Sequence, residues 1–232
     1  MRAPIAQRVR WTHAYRVINS RYPPIDVFER IADPADWETL IALEEMTNPR
    51  ARDAWGEISL VVPDERISGP GASWVMAAFT HVGRASRFTD GSYGVYYAAR
   101  LLETSVRETT FHFGRFLLAT LEPRGTELEM RVLVSSAIDS TFHDIRDGHD
   151  ELHDPDDYAT PQRVAKRLRE QGANGIVYRS VRHLGGDHPC LAVFRPKTIP
   201  RPKQGAHLRY HFDGTRIDRW FQIGKTKWET LS

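Results

Sequence analysis

Residues 86–112 read SRFTDGSYGVYYAARLLETSVRETTFH and predict three successive elements in the middle of this 232-residue chain. Asp90-Gly91 is a dipeptide typical of tight turns, and the VYYA run at 95–98 predicts a strand after it. From about residue 99 to residue 119, apolar side chains recur at steps of three and four, which is the period of an amphipathic helix. A turn, a strand and a long helix are therefore expected in that order.

Downstream of this stretch the chain is rich in predicted strands. Residues 126–135 alternate between apolar and polar side chains, as a half-buried strand does. A helix is expected from Thr160-Pro161 to Gly172, because proline suits the first helical turn and glycine the C-terminal end. Further strands are predicted at 175–181 and 191–194, and in a hairpin with arms at 207–212 and 215–221.

The N-terminal part mixes both types of element. Residues 13–18 predict a short strand, and residues 34–46 predict a helix that Asp33 caps. Residues 57–62 (EISLVV) predict another strand, whereas the apolar run 74–79 fits either type. Because strands outnumber helices and do not alternate with them, the sequence predicts an α+β fold with mainly antiparallel pairing. No composition shift divides the chain, so we expect a single domain over residues 1–232.

Composition argues against several classes of protein. Lys and Arg number 32 against 30 Asp and Glu, and the net charge of +2 is too small for a strongly basic nucleic-acid-binding surface. The lone Cys190 cannot form an internal disulfide, which agrees with a reducing compartment. No run approaches the roughly 18 apolar residues of a membrane-spanning helix. We therefore expect a cytoplasmic protein without a membrane partner and without direct contact to nucleic acid.

Three features that resemble functional sites are better explained as ordinary structure. Cys190 leads into an apolar run, which is the setting of a buried structural cysteine. Residues 142–158 (FHDIRDGHDELHDPDDY) carry metal-ligating side-chain types, but the segment is acidic and lacks an apolar shell, so we expect a solvated loop without a metal. Four basic residues on the predicted 160–172 helix indicate a solvated face; they are Arg163, Lys166, Arg167 and Arg169.

Six short motifs, each weak alone, occur along the chain. They are Tyr15-Arg16, Arg87, Val95-Tyr96-Tyr97-Ala98, Glu108, Ser180-Val181-Arg182 and the interval from Cys190 to Phe194. Their order and spacing resemble those of the RES-domain family, which is named for its Arg, Glu and Ser. The resemblance covers about residues 15–196, with 25–73 as a subfamily elaboration and 206–224 as a C-terminal hairpin.

The resemblance implies a fold, an activity and a partner. RES-domain proteins are similar in fold to ADP-ribosyltransferases, with split, mainly antiparallel sheets and flanking helices. They consume NAD by phosphorolysis or hydrolysis of the nicotinamide–ribose bond, and they are typically toxins of bacterial toxin–antitoxin pairs. We therefore expect NAD as the substrate, phosphate as one candidate acceptor and no metal. An Xre-type antitoxin is the expected protein partner, with a homodimer as one candidate assembly within the complex.

The resemblance also implies roles for five residues. Glu108 is expected to hold a ribose hydroxyl and to stabilise the positive charge that develops on the ribose. Arg16 and Arg87 are expected to grip the pyrophosphate through forked hydrogen bonds. Tyr97 is expected to stack on a ring of NAD, and Ser180 to orient the bond that breaks. Since the leaving group is already a cationic pyridinium, the chemistry needs no general acid.

Three residues compete with this assignment. The family's usual G-R-W-N turn is replaced here by Ser86-Arg87-Phe88-Thr89, and Arg84 lies close enough to take the role of Arg87. Tyr96 and Tyr97 point to opposite faces of a strand, and Tyr97 is preferred because eleven residues separate it from Glu108, as in the family. Glu103 lies on the same helix as Glu108 and is the alternative carboxylate.

Two other functions stay open at this point. The acceptor of the ADP-ribosyl group is undetermined among phosphate, water and a protein side chain, so a mono-ADP-ribosyltransferase that acts on a host protein is the first alternative. A non-catalytic NAD-binding module is the second, and its support is the substituted turn at 86–89.

Overall fold

A computed structural model describes residues 3–22, 29, 33–34, 36–47, 55–225 and 228–231. The strands in the described part are β1 Ile5–Asn19, β2 Tyr96–Ala99, β3 Glu127–Asp144, β4 Gly175–Arg179, β5 Pro189–Val193, β6 Lys203–Phe212, β7 Ile217–Gln222 and β8 Trp228–Thr230. The α-helices described there are α1 Trp37–Thr47, α2 Ala72–Thr80, α3 Leu102–Ala119 and α4 Ala159–Glu170. Short 3-10 turns occupy Ile58–Leu60, Pro63–Glu65, Asp150–Leu152 and Pro196–Thr198.

The strands form one hydrogen-bonded sheet in the order β1-β2-β5-β4-β3-β6-β7-β8, and β1 pairs with β3 as well. All pairings in the described residues are antiparallel except β3 with β4. Two joins are short: β1 meets β2 only at Tyr15 and Ala99, and β3 meets β4 only at residues 143–144. The α+β class with mainly antiparallel pairing is confirmed, whereas the likeness to ADP-ribosyltransferases stays a prediction.

The two longest strands extend beyond their predicted bounds. β1 and β3 pair continuously from Ile5 with Asp144 to Asn19 with Met130, apart from one irregularity at Ala137, which has a positive φ of 57°. The predicted segments 13–18 and 126–135 cover only the half in which apolar side chains alternate. In the other half, exposed charged side chains such as Arg8 and Asp139 alternate with buried ones such as Val9, Trp11 and Ile138, a pattern that the prediction left out.

The predicted strand at residues 57–62 is wrong. Ile58 and Val61 are buried while Ser59 and Leu60 between them are exposed, which is a helical spacing rather than an alternating one. Pro63 then begins a second 3-10 turn. The apolar run 74–79, left open between the two types, lies within α2.

Part of the predicted elaboration at 25–73 packs on the same core as the sheet. Trp37 is fully buried, and with Ile58 it joins a cluster that includes Phe79, Phe142 and Val177. Residues 25–28, 30–32, 35 and 48–54 lie outside the described residues. The single-domain organisation and the role of the elaboration stay predictions.

The remaining predicted elements agree with the structure. α3 occupies residues 102–119 of the helix predicted at 99–119, and it packs through Val106 and Leu117 against Leu208 and Tyr210 of β6. α4 buries Leu168 and its apolar neighbours and exposes the four basic residues of the predicted solvated face. Within the described residues no helix is long and apolar enough to cross a membrane. The fold thus places α3 over β1 and β2, with the end of β4 close by.

Candidate functional site

A cavity of about 580 Å³ lies between α3, the strands β1 and β2, and the start of α4. Its walls combine three kinds of side chain: arginines, aromatic rings and small residues, with a single carboxylate among them. The lining residues are Arg16, Val17, Ala85, Ser86, Arg87, Tyr97, Ala98, Ala99, Ser105, Glu108, Thr109, His112, Arg115, Tyr158, Tyr178, Val181 and Cys190. Such a volume suits part or all of a nucleotide-sized ligand.

Glu108 and Ser180 meet at the wall of this cavity, although 72 residues separate them in sequence. The Ser180 hydroxyl donates to Glu108 Oε1 at 2.6 Å. The same Ser180 Oγ accepts the backbone N–H groups of Arg182 at 3.2 Å and His183 at 3.0 Å. Because those two donors fix the oxygen lone pairs, the one hydroxyl proton is committed to the carboxylate.

The electrostatic setting of Glu108 combines opposing effects. Burial raises the pKa of Glu108 above its ordinary value, because a carboxylate loses hydration in the cavity wall. The Ser180 hydroxyl, the charges of Arg87 and Arg182, and the backbone of Val181 act in the opposite direction. The site therefore holds a carboxylate whose negative charge is poorly hydrated and is available to a developing cation.

Replacing Glu108 by Gln is expected to alter how stability depends on pH. Because the pKa of Glu108 is raised above 4.5 in the folded protein, its ionisation lowers the stability of the fold as the pH rises from 4.5 through the raised pKa. Gln does not ionise, so the Tm of Glu108→Gln minus the wild-type Tm should increase across that window and then level off. Calorimetry from about pH 4 to about pH 8 measures this difference. A difference that is constant, or that decreases with pH, would contradict the raised pKa.

Arg87 is buried, with 6% of its surface exposed, and lines the cavity. Its Nη1 donates to the carbonyl oxygens of Leu152 at 3.3 Å and Asp154 at 2.8 Å, and its guanidinium lies 4.7 Å from the centre of the Tyr158 ring. Its Nη2 is buried and has no hydrogen-bond partner among the described residues. Since an unpartnered buried N–H is costly, this nitrogen marks a position for an acceptor atom of a ligand.

Arg16 resembles Arg87, because a carbonyl group and an aromatic ring hold its guanidinium at the same cavity. Its Nη1 donates to the carbonyl of Tyr97 at 3.1 Å, and its guanidinium lies 4.6 Å from the centre of the Tyr96 ring. Its buried Nε has no partner in the part of the chain that the structure describes. Burial lowers the pKa of Arg16, and the two tyrosines oppose that effect. A guanidinium in this setting binds an anion with little competition from water.

The two tyrosines of β2 lie on opposite faces, as the strand geometry predicts. Tyr97 lines the cavity, whereas Tyr96 is 1% exposed and packs in the core cluster beneath α2. The Tyr97 hydroxyl accepts the backbone N–H of Phe88 at 3.1 Å and bonds the Ser86 hydroxyl at 2.7 Å. Tyr97 therefore ties the turn that carries Arg87 to β2, a function that its sequence spacing did not indicate.

The other two competing residues lie away from the cavity. Arg84 is exposed and does not line it. Glu103 is exposed on the outer face of α3 and forms an i, i+4 ion pair with Arg107 at 3.2 Å. Arg16, Arg87, Tyr97 and Glu108 thus line one cavity, and Ser180 lies behind its wall and bonds Glu108, while Arg84, Tyr96 and Glu103 are not part of the lining.

Several lining residues were not selected from the sequence, among them His112, Tyr158 and Tyr178. His112 lies one helical turn after Glu108, a spacing that indicates a shared face of α3. Tyr158 and Tyr178 carried no comparable signal, because their positions depend on contacts between distant segments. Cys190 also lines the cavity; it is 2% exposed, and burial raises its pKa well above the ordinary value, as expected for a structural cysteine.

The solvated-loop interpretation of residues 142–158 is wrong for the middle of the segment. His149 and Leu152 are buried, and the Arg179 backbone donates to His153 Nε2 at 3.1 Å. Carbonyl groups of this segment hold Arg87, so the segment supports the cavity wall. Among the described residues there is no group of three or more His, Cys, Asp or Glu arranged to bind a metal.

Comparison with known proteins gives one family and two individual likenesses. A model of the RES domain matches residues 63–213. The uncharacterized protein y4oC of Sinorhizobium fredii (strain NBRC 101917 / NGR234) is 30% identical over 205 residues, which cover 88% of this chain and 84% of the relative. A chain in the crystal structure of the M. tuberculosis MbcT-MbcA toxin–antitoxin complex has a TM-score of 0.43 and 10% identity, over 93% of this chain and 86% of that one.

The family match includes most of the cavity. Arg87, Tyr97, Glu108 and Ser180 lie inside the matched region, and Arg16 lies before it. The matched residues make up more than half of the chain, and the relative from Sinorhizobium fredii extends the similarity over most of its length. The chain therefore belongs to the RES-domain family.

Proposed function

We propose that this protein is an enzyme that cleaves the nicotinamide–ribose bond of NAD, and that it acts as the toxin of a bacterial toxin–antitoxin pair. The observation that carries the enzymatic part is the Glu108 carboxylate, bound to Ser180 at the wall of a cavity that Arg16 and Arg87 also line. Membership of the RES-domain family supports both parts of the proposal.

The residue types suit this reaction. When the nicotinamide–ribose bond breaks, its electron pair goes to the pyridinium nitrogen, which becomes neutral, and positive charge develops on the ribose. A poorly hydrated carboxylate next to the ribose stabilises that charge more than it stabilises the ground state. Glu108 is the only carboxylate that lines the described cavity, so we assign this role to it.

Binding and orientation are assigned to the other four residues of the site. Arg16 and Arg87 each leave one buried guanidinium nitrogen for the pyrophosphate oxygens. Tyr97 presents its ring to the cavity while its hydroxyl is occupied by the 86–88 turn. Ser180 holds Glu108 in one orientation through a hydrogen bond of 2.6 Å. The residues thus position NAD, and the acceptor then attacks the ribose carbon from which nicotinamide departs.

The acceptor is tested by mass balance. Attack by phosphate yields a phosphorylated ADP-ribose, attack by water yields ADP-ribose and a proton, and attack by a protein side chain yields a labelled protein. We expect the purified protein to consume NAD and release one nicotinamide per NAD, with a rate that depends on added phosphate. Transfer of label to a protein instead would favour the mono-ADP-ribosyltransferase alternative. NAD binding without any nicotinamide release would favour the non-catalytic alternative.

The toxin role is tested in growing bacteria. We expect induced expression to lower cellular NAD and to stop growth, while Glu108→Gln expressed to the same level does neither. Co-expression of a cognate Xre-type antitoxin is expected to restore both NAD and growth. Normal growth and normal NAD on expression of the active enzyme would contradict the toxin role.

A further inference from the structure

Arg182 is held in a similar way to the two arginines already described, although it is not itself a lining residue of the cavity; its neighbour Val181 is. Its Nη2 donates to the carbonyl of Pro155 at 2.9 Å, and its guanidinium lies 3.5 Å from the centre of the Phe111 ring. Its Nε is buried and has no hydrogen-bond partner among the described residues. One edge and one face of the guanidinium are therefore fixed, and one donor remains unused.

Arg87 and Arg182 are fixed by the same short piece of backbone. Arg87 donates to the carbonyls of Leu152 and Asp154, and Arg182 donates to that of Pro155. Because the three acceptors lie within residues 152–155, the two guanidinium groups are anchored to the same short part of the chain. Like charges held together in this way repel one another, and no carboxylate pairs with either guanidinium among the ion pairs of the described residues.

Both arginines act on the cavity electrostatically. The charges of Arg87 and Arg182 both favour the ionised form of Glu108. Burial, followed by the charges of Arg182, Arg115 and Arg87, lowers the pKa of His112 to about 4. His112 is therefore neutral near pH 7, and the positive field at this end of the cavity comes from arginines alone. Such a field stabilises an anion.

We propose that Arg182 is a further binding residue, and that with Arg87 it forms a two-arginine site for a phosphate group, pre-organised by the carbonyls of residues 152–155. The inference rests on the proposed function in that the site lies beside Glu108. Its own support is the pair of unused buried donors, Arg87 Nη2 and Arg182 Nε, which a phosphate group would satisfy together.

The phosphate group has two candidate sources. It belongs either to the pyrophosphate of the dinucleotide or to inorganic phosphate that acts as the acceptor. Both present the same kind of phosphate oxygen to the guanidinium groups, so the contacts of the site do not distinguish the two sources. The two are separated by measuring the binding of inorganic pyrophosphate, ADP-ribose and orthophosphate individually.

The test is equilibrium binding of these three probes to the wild type, Arg182→Lys and Arg87→Lys. Lysine keeps the charge but loses the forked donors, so we expect Arg182→Lys to weaken the relevant probe by roughly 10- to 100-fold. If both arginines hold one phosphate group, the double variant should lose less affinity than the product of the two single effects. Circular dichroism and Tm show whether each variant is folded.

Arg179→Lys is the matched control for a merely structural effect. Arg179 also anchors the 142–158 segment, through the Asp150 carboxylate at 2.8 Å, but none of its nitrogens is among the buried donors that lack a partner in the described residues. We expect this variant to bind all three probes as the wild type does. If Arg182 only anchored the segment, the two lysine variants would weaken the probes to the same extent.

The outcomes show which phosphate source the site binds and whether the proposal holds. Weaker pyrophosphate and ADP-ribose binding in Arg182→Lys assigns the site to the dinucleotide, and weaker orthophosphate binding assigns it to the acceptor. Unchanged binding of all three probes, no binding to the wild type, or an equal loss in Arg179→Lys overturns the proposal. None of the probes contains a nicotinamide–ribose bond, so a failure of NAD cleavage would contradict the proposed function without deciding this experiment.

Discussion

Glu108→Gln is expected to lower the rate of NAD cleavage by on the order of 10²–10³-fold, with a much smaller change in KM. The variant keeps the size of the side chain, and its amide oxygen still accepts the Ser180 hydroxyl that now bonds Glu108 at 2.6 Å. What it loses is the negative charge beside the ribose, which matters most when the cationic transition state forms. The measurement is nicotinamide release at saturating NAD for wild type and variant.

Glu103→Gln is the matched control for this prediction. Glu103 lies on the same helix, but its side chain is 55% exposed, does not line the cavity, and pairs with Arg107 and, at 3.7 Å, with His183 Nε2. Loss of such an exposed ion pair has little effect on stability, so activity should stay within about twofold of the wild type. Equal losses in the two variants would indicate a general effect on α3, and full activity of Glu108→Gln would refute the site assignment.

Elements with a strong local pattern were predictable from the sequence. α3 and the hairpin of β6 and β7 are examples, because an apolar face of period 3.6 and a two-residue turn each specify one structure with local information. The strand predicted at 57–62 was wrong because its local pattern is ambiguous. A run of apolar residues fits a strand or a turn equally well, and its packing beneath Trp37 and Phe79 selects the 3-10 turn.

Long-range pairing determines the lengths of β1 and β3. Their outer halves alternate exposed charged residues such as Arg8 with buried ones such as Val9 over only a few positions, and each half provides the backbone partners of the other. The length of such a strand depends on its neighbour as well as on its own pattern. The same dependence explains why the one parallel pairing, at residues 143–144 of β3 with β4, had no signal in the sequence.

The candidate site was also predictable only in part. Family order and spacing selected five side chains; four of them line one cavity, the fifth, Ser180, bonds Glu108 from behind its wall, and their roles stay predictions. The backbone groups that hold them were not predictable, because the carbonyls of Leu152, Asp154 and Pro155 are common to all residue types. The acidic side chains of 142–158 suggested solvent exposure or a metal, whereas the backbone of this segment contacts the arginines. Arg182 was overlooked because its position depends on those carbonyls.

Arg87→Lys is expected to raise the KM for NAD by roughly 10- to 100-fold, with a smaller effect on kcat. Arginine donates from one edge to the carbonyls of Leu152 and Asp154 and retains a free Nη2 for the ligand. A lysine ammonium has three donors at one point, so it cannot reach both the carbonyls and the pyrophosphate in the same geometry. Initial rates over a range of NAD concentrations give KM and kcat separately.

Arg84→Lys is the control, because it makes the same chemical change three residues earlier in the chain. Arg84 is exposed and does not line the cavity, so KM for NAD should stay within about twofold of the wild-type value. The reverse result, with Arg84→Lys impaired and Arg87→Lys normal, would mean that the turn at 86–89 presents the other arginine when NAD binds. An effect on kcat alone in Arg87→Lys would instead assign Arg87 to the transition state, because ground-state binding would then be independent of its forked donors.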